Sequence, residues 1–373
     1  MSVARPGDHG VGQVPTLRLE GPVIVGDDEV RDGAWVVGGA VTFDEPDAPV
    51  DQVLEGVTVP GLVDVHCHVG LDSGGAVEPE LALKQALVDR DAGTLLIRDA
   101  GSPTDTRFLD GVVEAPRLIR AGRFIARPKR YLRYYAREIE VDDLPRVMAE
   151  EARKGDGWVK IIADWIDRDA GDLAPLWPAE VLAEGIAAAH DAGARVTAHT
   201  FATESIDPLL DGGIDCLEHG TGMTPAHMER AAAEGIPVVP TMLQIDNFAG
   251  FAAQGRARFP AYATRMDAMY ERRATHAREL WEAGVPLLLG TDAGGTLGHG
   301  LLPLEAAALV DAGIPASDVV AMATWRARAF LGVPALEEGA SADLVVYARD
   351  PREDITELAR PQHVVLRGAR VAP

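Results

Sequence analysis

Short apolar runs alternate with longer, alanine-rich stretches through the middle of the chain. Strand-like runs separated by helical stretches favour βα units and a parallel arrangement of the strands. Eight such units favour a closed (β/α)8 barrel, also called a TIM barrel, within the α/β class. The eight predicted strands are Leu62–His68, Thr94–Arg98, Arg117–Ala121, Val159–Ala163, Arg195–His199, Cys216–His219, Pro237–Thr241 and Leu287–Thr291.

Both ends of the chain show a different pattern, in which short β-type runs are interrupted by glycine, aspartate and proline. These runs are Ala34–Val37 and Gly39–Phe43 near the N-terminus, and Asp343–Tyr347 and His363–Leu366 near the C-terminus. We therefore predict a small β-sandwich-like domain made from residues 1–60 together with 335–373. Residues 61–334 would form the barrel.

Side chains that bind metals stand at or near the ends of several predicted strands. His66 and His68 are separated by one residue, and because side chains in a strand alternate faces, both imidazoles point the same way. In a barrel, the C-terminal ends of the strands surround the active site, whereas an open sheet would not easily gather five strand ends around one point. The sequence therefore predicts a metal site built from His66, His68, Lys160, His199, His219 and Asp292.

In this order, HxH followed by Lys, His, His and Asp, the chain resembles the metal-dependent amidohydrolase superfamily. The resemblance spans nearly the whole sequence, from Val57–Asp64 before the histidine pair to Gly339–Tyr347 near the C-terminus. Lys160 is similar to the bridging lysine of the members with two metals, such as prolidase-like, isoaspartyl-type dipeptidase and phosphotriesterase-like enzymes. The related imidazolonepropionase-like branch has one metal and lacks this lysine.

The resemblance implies two divalent metal ions, with zinc as the first choice, although these ligands also suit manganese, iron or nickel. Burial beside cations depresses the pKa of a lysine, and the neutral amine can add carbon dioxide to become a carbamate. One metal would be held by His66, His68 and Asp292, the other by His199 and His219, and the carbamate on Lys160 would bridge them.

The resemblance and the ligand set predict hydrolysis of the amide C–N bond of a small substrate by a metal-bridging hydroxide. Asp292 would be the general base and acid, taking the proton from the attacking oxygen and passing it to the departing nitrogen. A cyclic amide, a lactone or a phosphoester remains an alternative substrate, because such a hydroxide does not choose among them. A non-catalytic scaffold of the same fold is a further alternative.

A segment rich in arginine and tyrosine, residues 120–137, follows the third predicted strand and would lie at the mouth of the site. Arginine and tyrosine bind carboxylates directionally, so we predict that Arg123 and Tyr131 anchor a substrate carboxylate, as in a dipeptide or an N-acyl amino acid. Prolidase-like relatives have glycine-rich, histidine-bearing sequence here. This chain departs from that pattern, so the resemblance does not decide whether the substrate is a dipeptide. His299, in a glycine-rich loop, is predicted to contact the substrate, and residues 244–248 to line the pocket.

Composition narrows the partners of this 373-residue chain. Its net charge of −23 disfavours nucleic acid or an anionic membrane as a partner. No run of about twenty apolar residues and no secretion signal is present, so we expect a cytoplasmic protein. Cys67 and Cys216 are expected to be small buried residues rather than ligands. The sequence leaves open whether the chain forms a homo-oligomer.

Overall fold

The computed structural model describes residues 14–372, so the first 13 residues of the predicted small domain lie outside the described part. The strands are β1 Leu17–Ile24, β2 Val30–Val37, β3 Ala40–Thr42, β4 Gln52–Glu55, β5 Val57–Pro60, β6 Leu62–Cys67, β7 Leu71–Asp72, β8 Gly75–Ala76, β9 Thr94–Asp99, β10 Arg117–Arg120, β11 Ile125–Ala126, β12 Arg137–Glu138, β13 Trp158–Ile162, β14 Asp164–Asp167, β15 Asp172–Pro175, β16 Arg195–Thr200, β17 Cys216–His219, β18 Val238–Val239, β19 Leu344–Tyr347, β20 His363–Leu366 and β21 Ala369–Ala372. The helices are α1 Pro79–Asp91, α2 Leu144–Ala152, α3 Ala179–Asp191, α4 Ile206–Asp211, α5 Pro225–Glu234, α6 Met242–Ile245, α7 Phe248–Gly255, α8 Pro260–Glu282, α9 Leu302–Asp311, α10 Ala316–Ala323 and α11 Trp325–Leu331. Within the described residues, no helix is both long and apolar enough to cross a membrane.

The middle of the chain is an α/β structure of parallel strands, as the pattern predicted. One sheet has the order β10-β9-β6 and a second has the order β12-β11-β13-β16-β17-β18, and every strand pair in both sheets is parallel. These strands are buried along nearly their whole length, which explains why they read as apolar runs. Seven of the eight predicted strands are present, although β18 is only two residues long.

The predicted eighth strand, Leu287–Thr291, does not form a regular strand. It lies between β18 and β6, where Leu288 N donates to Val238 O at 3.1 Å and Val65 N donates to Leu289 O at 2.9 Å. The Thr291 N–H donates to a side-chain oxygen, Oδ1 of Asp64 on β6, at 3.1 Å, instead of to a backbone carbonyl of a neighbouring strand. Because the two sheets are not joined by continuous pairing, the closed barrel stays a prediction.

The two ends of the chain share one eight-stranded sheet with the order β21-β20-β19-β5-β1-β2-β3, in which β4 pairs with β1. Strand β19 from the C-terminal segment runs antiparallel to β5 from the N-terminal segment, with Leu344 opposite Pro60. Buried side chains of both segments, among them Leu17 and Leu344, form one apolar cluster. The second sheet of a sandwich, and the predicted domain boundaries, stay predictions.

Candidate metal centre

Two of the predicted ligands converge on one oxygen atom of a third. Nε2 of His66 and Nε2 of His68 each lie 3.1 Å from Oδ1 of Asp292. His66 is in β6 and His68 follows it, while Asp292 ends the segment beside β6, where its N–H donates to His66 O at 2.7 Å. This backbone contact holds Asp292 against the histidine pair.

The other three predicted ligands complete the same cluster. Nζ of Lys160 is 3.3 Å from Nε2 of His66. Nε2 of His219 is 3.0 Å from Nδ1 of His199, and the rings of His66 and His219 are 5.1 Å apart. The structure therefore brings together all six side chains that the sequence predicted, from the end of β6 and the residue after it, the middle of β13, the C-terminal parts of β16 and β17, and the segment that ends at Asp292.

The backbone around the cluster is strained in a specific way. His219, Thr241 and Asp292 have φ values of 67°, 50° and 57°, in the left-handed region that side-chain-bearing residues rarely adopt. Such residues cost free energy and concentrate at functional sites. A Cβ atom at Gly290 would lie 2.6 Å from Cβ of His66, so only glycine lets this segment approach β6 closely enough.

Two histidines of the cluster, His68 and His219, are hydrogen-bonded through Nδ1, and a third, His66, has a carboxylate beside its Nδ1. Nδ1 of His68 donates to Gly101 O at 2.6 Å. Nδ1 of His219 contacts Oγ1 of Thr241 at 2.7 Å, and because this hydroxyl already donates to Pro240 O, it accepts the imidazole proton. Nδ1 of His66 lies 2.8 Å from Oε2 of Glu218. Such partners fix the tautomer and orientation of metal-binding histidines.

Glu218 belongs to a buried network that sequence analysis did not single out. Its other oxygen, Oε1, contacts the guanidinium of Arg98 and the hydroxyl of Thr197, and neither Arg98 nor Glu218 is exposed. Burial raises the pKa of Glu218, but the charge of Arg98 outweighs it and holds this pKa well below its usual range. Charged residues inside apolar strands were the available signal for both side chains.

Burial and neighbouring charges shift the pKa values of the cluster in different directions. Burial lowers the pKa of His68, His199 and Lys160, so their lone pairs are available as ligands or for reaction with carbon dioxide. Burial raises the pKa of Asp292, but the charge of His66 and hydrogen bonds from the histidines hold it well below its usual range. Burial lowers the pKa of His66, but the negative charges of Glu218 and Asp292 together outweigh burial, so this pKa is raised above its usual value.

Unpartnered buried atoms show that the cluster fits cations. Nε2 of His199 is buried and has no hydrogen-bond partner among the described residues. Lys160 is 2 % exposed and forms no ion pair with a carboxylate in the part of the chain that the structure describes. Unpaired polar groups are costly to bury, and bound cations would satisfy them. Imidazole nitrogens with a carboxylate are ligands for zinc and similar ions.

A pocket opens over the Asp292 side of the cluster. Tyr131 is part of its wall, and its ring packs against Trp165 at 4.6 Å and His199 at 5.6 Å between ring centres. Gln244, in the short helix α6 after the seventh predicted strand, also lines it. The lining residues are His68, Leu71, Phe124, Tyr131, Leu132, Tyr135, Gln244, Asp292, Gly295 and Thr296.

Two predicted substrate contacts do not line this pocket. Nε of Arg123 donates to Tyr135 O at 3.0 Å, and this side chain lines a separate cavity. Nδ1 of His299 lies 2.7 Å from Oδ2 of Asp89, which is on α1, and 3.7 Å from Sγ of Cys67. The His299 loop is therefore tied to α1 by a buried ion pair. Both cysteines are buried, as predicted.

Comparison with known proteins identifies the family of the chain. The model of the amidohydrolase family matches residues 57–371, so the chain belongs to the amidohydrolase family and is a hydrolase of C–N bonds. An uncharacterized protein of Mycobacterium tuberculosis (strain ATCC 25618 / H37Rv) is 48 % identical over 348 residues, 93 % of this chain and 94 % of its own length.

Solved structures share the fold at low sequence identity. A Xaa-Pro dipeptidase with bound methionine in the active site superposes with a TM-score of 0.81 at 22 % identity, covering 95 % of this chain and 99 % of that one. Ochratoxinase of A. niger superposes with a TM-score of 0.77 at 20 % identity, covering 95 % of both chains. These likenesses establish the fold.

Proposed function

We propose that the chain is a binuclear metal hydrolase that cleaves the amide C–N bond of a small substrate. The observation that carries this proposal is the convergence of His66 and His68 on Oδ1 of Asp292, with Lys160 at 3.3 Å from the same His66 nitrogen. Membership of the amidohydrolase family supports it. The structural neighbours include hydrolases described as a Xaa-Pro dipeptidase and an ochratoxinase.

The six side chains would hold two divalent ions, with zinc as the first choice. When bound, such ions supply an activated water at neutral pH and polarise the substrate carbonyl. Lys160 would bridge them: its neutral amine attacks carbon dioxide, loses a proton and becomes a carbamate with two ligand oxygens. Burial, which lowers the pKa of this lysine, and the lack of a carboxylate partner among the described residues support this role.

Asp292 is the proposed proton carrier. Its Oδ1 is held between two imidazoles, and its side chain is 15 % exposed and lines the pocket. From this position the carboxylate would accept a proton from the attacking water and pass it to the leaving nitrogen. His68 and His66 orient this carboxylate, and Tyr131 covers the site from the pocket side.

The test is turnover of the metal-reconstituted protein on a library of dipeptides and N-acyl amino acids, detected as released amine. We expect Asp292→Asn to keep most of its metal and lose turnover by about 100-fold or more, the range of general acid–base catalysis. Asp169→Asn, at an exposed turn, is the control and should match the wild type. Hydrolysis at the wild-type rate by Asp292→Asn would exclude the assigned base. No turnover with two metals bound would redirect the proposal to lactams, lactones and phosphoesters.

A further inference from the structure

We infer that Cys67, Asp89 and His299 form a further metal site, separate from the candidate metal centre, which binds one divalent ion such as Zn2+. Cys67 stands between His66 and His68 in the sequence. Because side chains alternate along a strand, its thiol points away from the two imidazoles, to the side of β6 that packs against α1. The inference does not depend on the proposed function, and it departs from the expectation that neither cysteine is a ligand.

The three donor atoms of this site lie close to one another. Nδ1 of His299 is 2.7 Å from Oδ2 of Asp89, and Sγ of Cys67 is 3.7 Å from that nitrogen and 3.8 Å from that oxygen. Zinc binds sulfur at about 2.3 Å and nitrogen or oxygen at about 2.0–2.2 Å, so two ligands of a tetrahedral ion lie about 3.3–3.6 Å apart. The sulfur is therefore already at ligand spacing, and binding requires only that the nitrogen and the oxygen separate by about 0.6 Å.

The chemistry of the donors selects the kind of ion. A thiolate with an imidazole and a carboxylate suits zinc and similar ions, whereas magnesium and calcium take oxygen ligands. On binding, the ion takes the place of the thiol proton and of the proton that His299 shares with Asp89, and both protons leave to solvent. One divalent ion then balances the thiolate and the carboxylate. This balance matters because Cys67 is fully buried and the side chains of Asp89 and His299 are 4 % and 5 % exposed.

A fourth buried side chain, Asp99 on β9, points to the same side of the sheet. Asp99 is the partner of Cys67 in the parallel pairing of β9 with β6, and paired residues of neighbouring strands project from the same face. Oδ1 of Asp99 accepts from Gly101 N at 2.8 Å, but Oδ2 is buried and has no hydrogen-bond partner among the described residues. An unpartnered buried carboxylate oxygen is costly, and a cation beside it would offset this cost. Asp99 is therefore the candidate fourth ligand.

An ion at this site would join three separate elements of the fold. Cys67 ends β6, Asp89 lies in the last turn of α1, and His299 lies in the loop that follows Asp292. Oδ1 of Asp89 also accepts from Gly300 N at 2.7 Å, which holds the backbone of that loop against α1. A buried ion with protein ligands only is typical of structural zinc sites. The role that follows is to fix the loop after Asp292 behind the candidate metal centre.

Titration of the full chain, freed of metal, with Co2+ tests the inference. A thiolate bound to Co2+ gives a charge-transfer absorption band in the near ultraviolet that imidazole and carboxylate ligands do not give. The reductant is a phosphine, so that no added thiol binds cobalt. The variants are Cys67→Ser, Asp89→Asn and His299→Gln. Cys216→Ser removes the other cysteine, which is buried in β17, and is the matched control.

We expect the wild type and Cys216→Ser to show the band and to bind one Co2+ ion more per chain than Cys67→Ser, which lacks the band. Asp89→Asn and His299→Gln keep the thiol and should weaken the binding that produces the band by about tenfold or more, since even a residue that only supports a ligand contributes about 10–100-fold. If Cys67→Ser does not fold, these two variants and the wild type decide. A wild type without the band at saturating Co2+, a band that persists in folded Cys67→Ser, or unchanged affinity in both other variants would overturn the inference.

The absorption band separates this inference from the proposed function. The six side chains of the candidate metal centre include no sulfur, so the band reports only the site at Cys67. If the band is present and no library compound is hydrolysed, this inference stands and the proposed function fails. If amine is released and the band is absent, the hydrolase stands, and the contact between Asp89 and His299 is an ion pair only.

Discussion

Replacement of Glu218 by glutamine tests whether a residue outside the ligand set controls the metal centre. In the wild type, Oε1 of Glu218 accepts from both Arg98 and Thr197, while Oε2 lies 2.8 Å from Nδ1 of His66. In Glu218→Gln, the remaining oxygen is needed by the two donors, so the amide NH2 faces His66. A donor in this place favours the His66 tautomer whose proton is on Nε2, and that nitrogen then has no lone pair for a metal.

The magnitude follows from the burial of the network. Loss of such a supporting partner costs about 10–100-fold in metal affinity, or about 1.4–2.7 kcal/mol. Arg98 also loses its partner in a site where neither side chain is exposed, and breaking a buried ion pair destabilises a protein by about 3–5 kcal/mol. We therefore expect both weaker metal binding and a lower free energy of unfolding in the variant.

The assay is metal content at buffered free zinc concentrations, with urea unfolding of the same preparations. Glu204→Gln, at an exposed position that pairs with Arg265, is the matched control and should bind metal like the wild type. Metal affinity is compared only where circular dichroism shows the variant to be folded. A folded Glu218→Gln protein with wild-type metal affinity would refute the role assigned to the contact between Glu218 and His66.

Two further predictions concern buried ionisable groups. Lys160→Ala should reduce bound metal below two ions per chain by elemental analysis, and a variant that keeps two would refute the bridging role. Burial raises the pKa of Glu305 to about 8. Between about pH 4.5 and pH 8 the folded protein therefore holds a proton on Glu305 that the unfolded chain has released. The free energy of unfolding is highest below about pH 4.5 and falls as the pH rises to about 8, by up to about 5 kcal/mol from this group. Urea unfolding of metal-free protein at acidic and alkaline pH should show a smaller loss with pH in Glu305→Gln, and equal losses would contradict the raised pKa.

Local sequence predicted most of the strands, and the six side chains that come together in the cluster, because both depend on short-range pattern. Strand β17 has the predicted bounds, and β6 and β16 differ from prediction by one residue at one end. Alternation along β6 placed His66 and His68 on one face before any tertiary contact was known. The segment Leu287–Thr291 is not a regular strand: it pairs with its neighbours through isolated contacts, and its Thr291 N–H bonds to the side chain of Asp64 on β6.

The sequence by itself identified the six side chains of the proposed metal centre, because candidate ligands in and after strands are defined by residue type and by the period of the strand. Only the tertiary structure decided where the loop side chains go. His299 pairs with Asp89, 210 residues away, and Gln244 is oriented by Thr296, 52 residues away. A loop side chain takes its direction from whichever distant group satisfies its hydrogen bonds, and no local pattern encodes that partner.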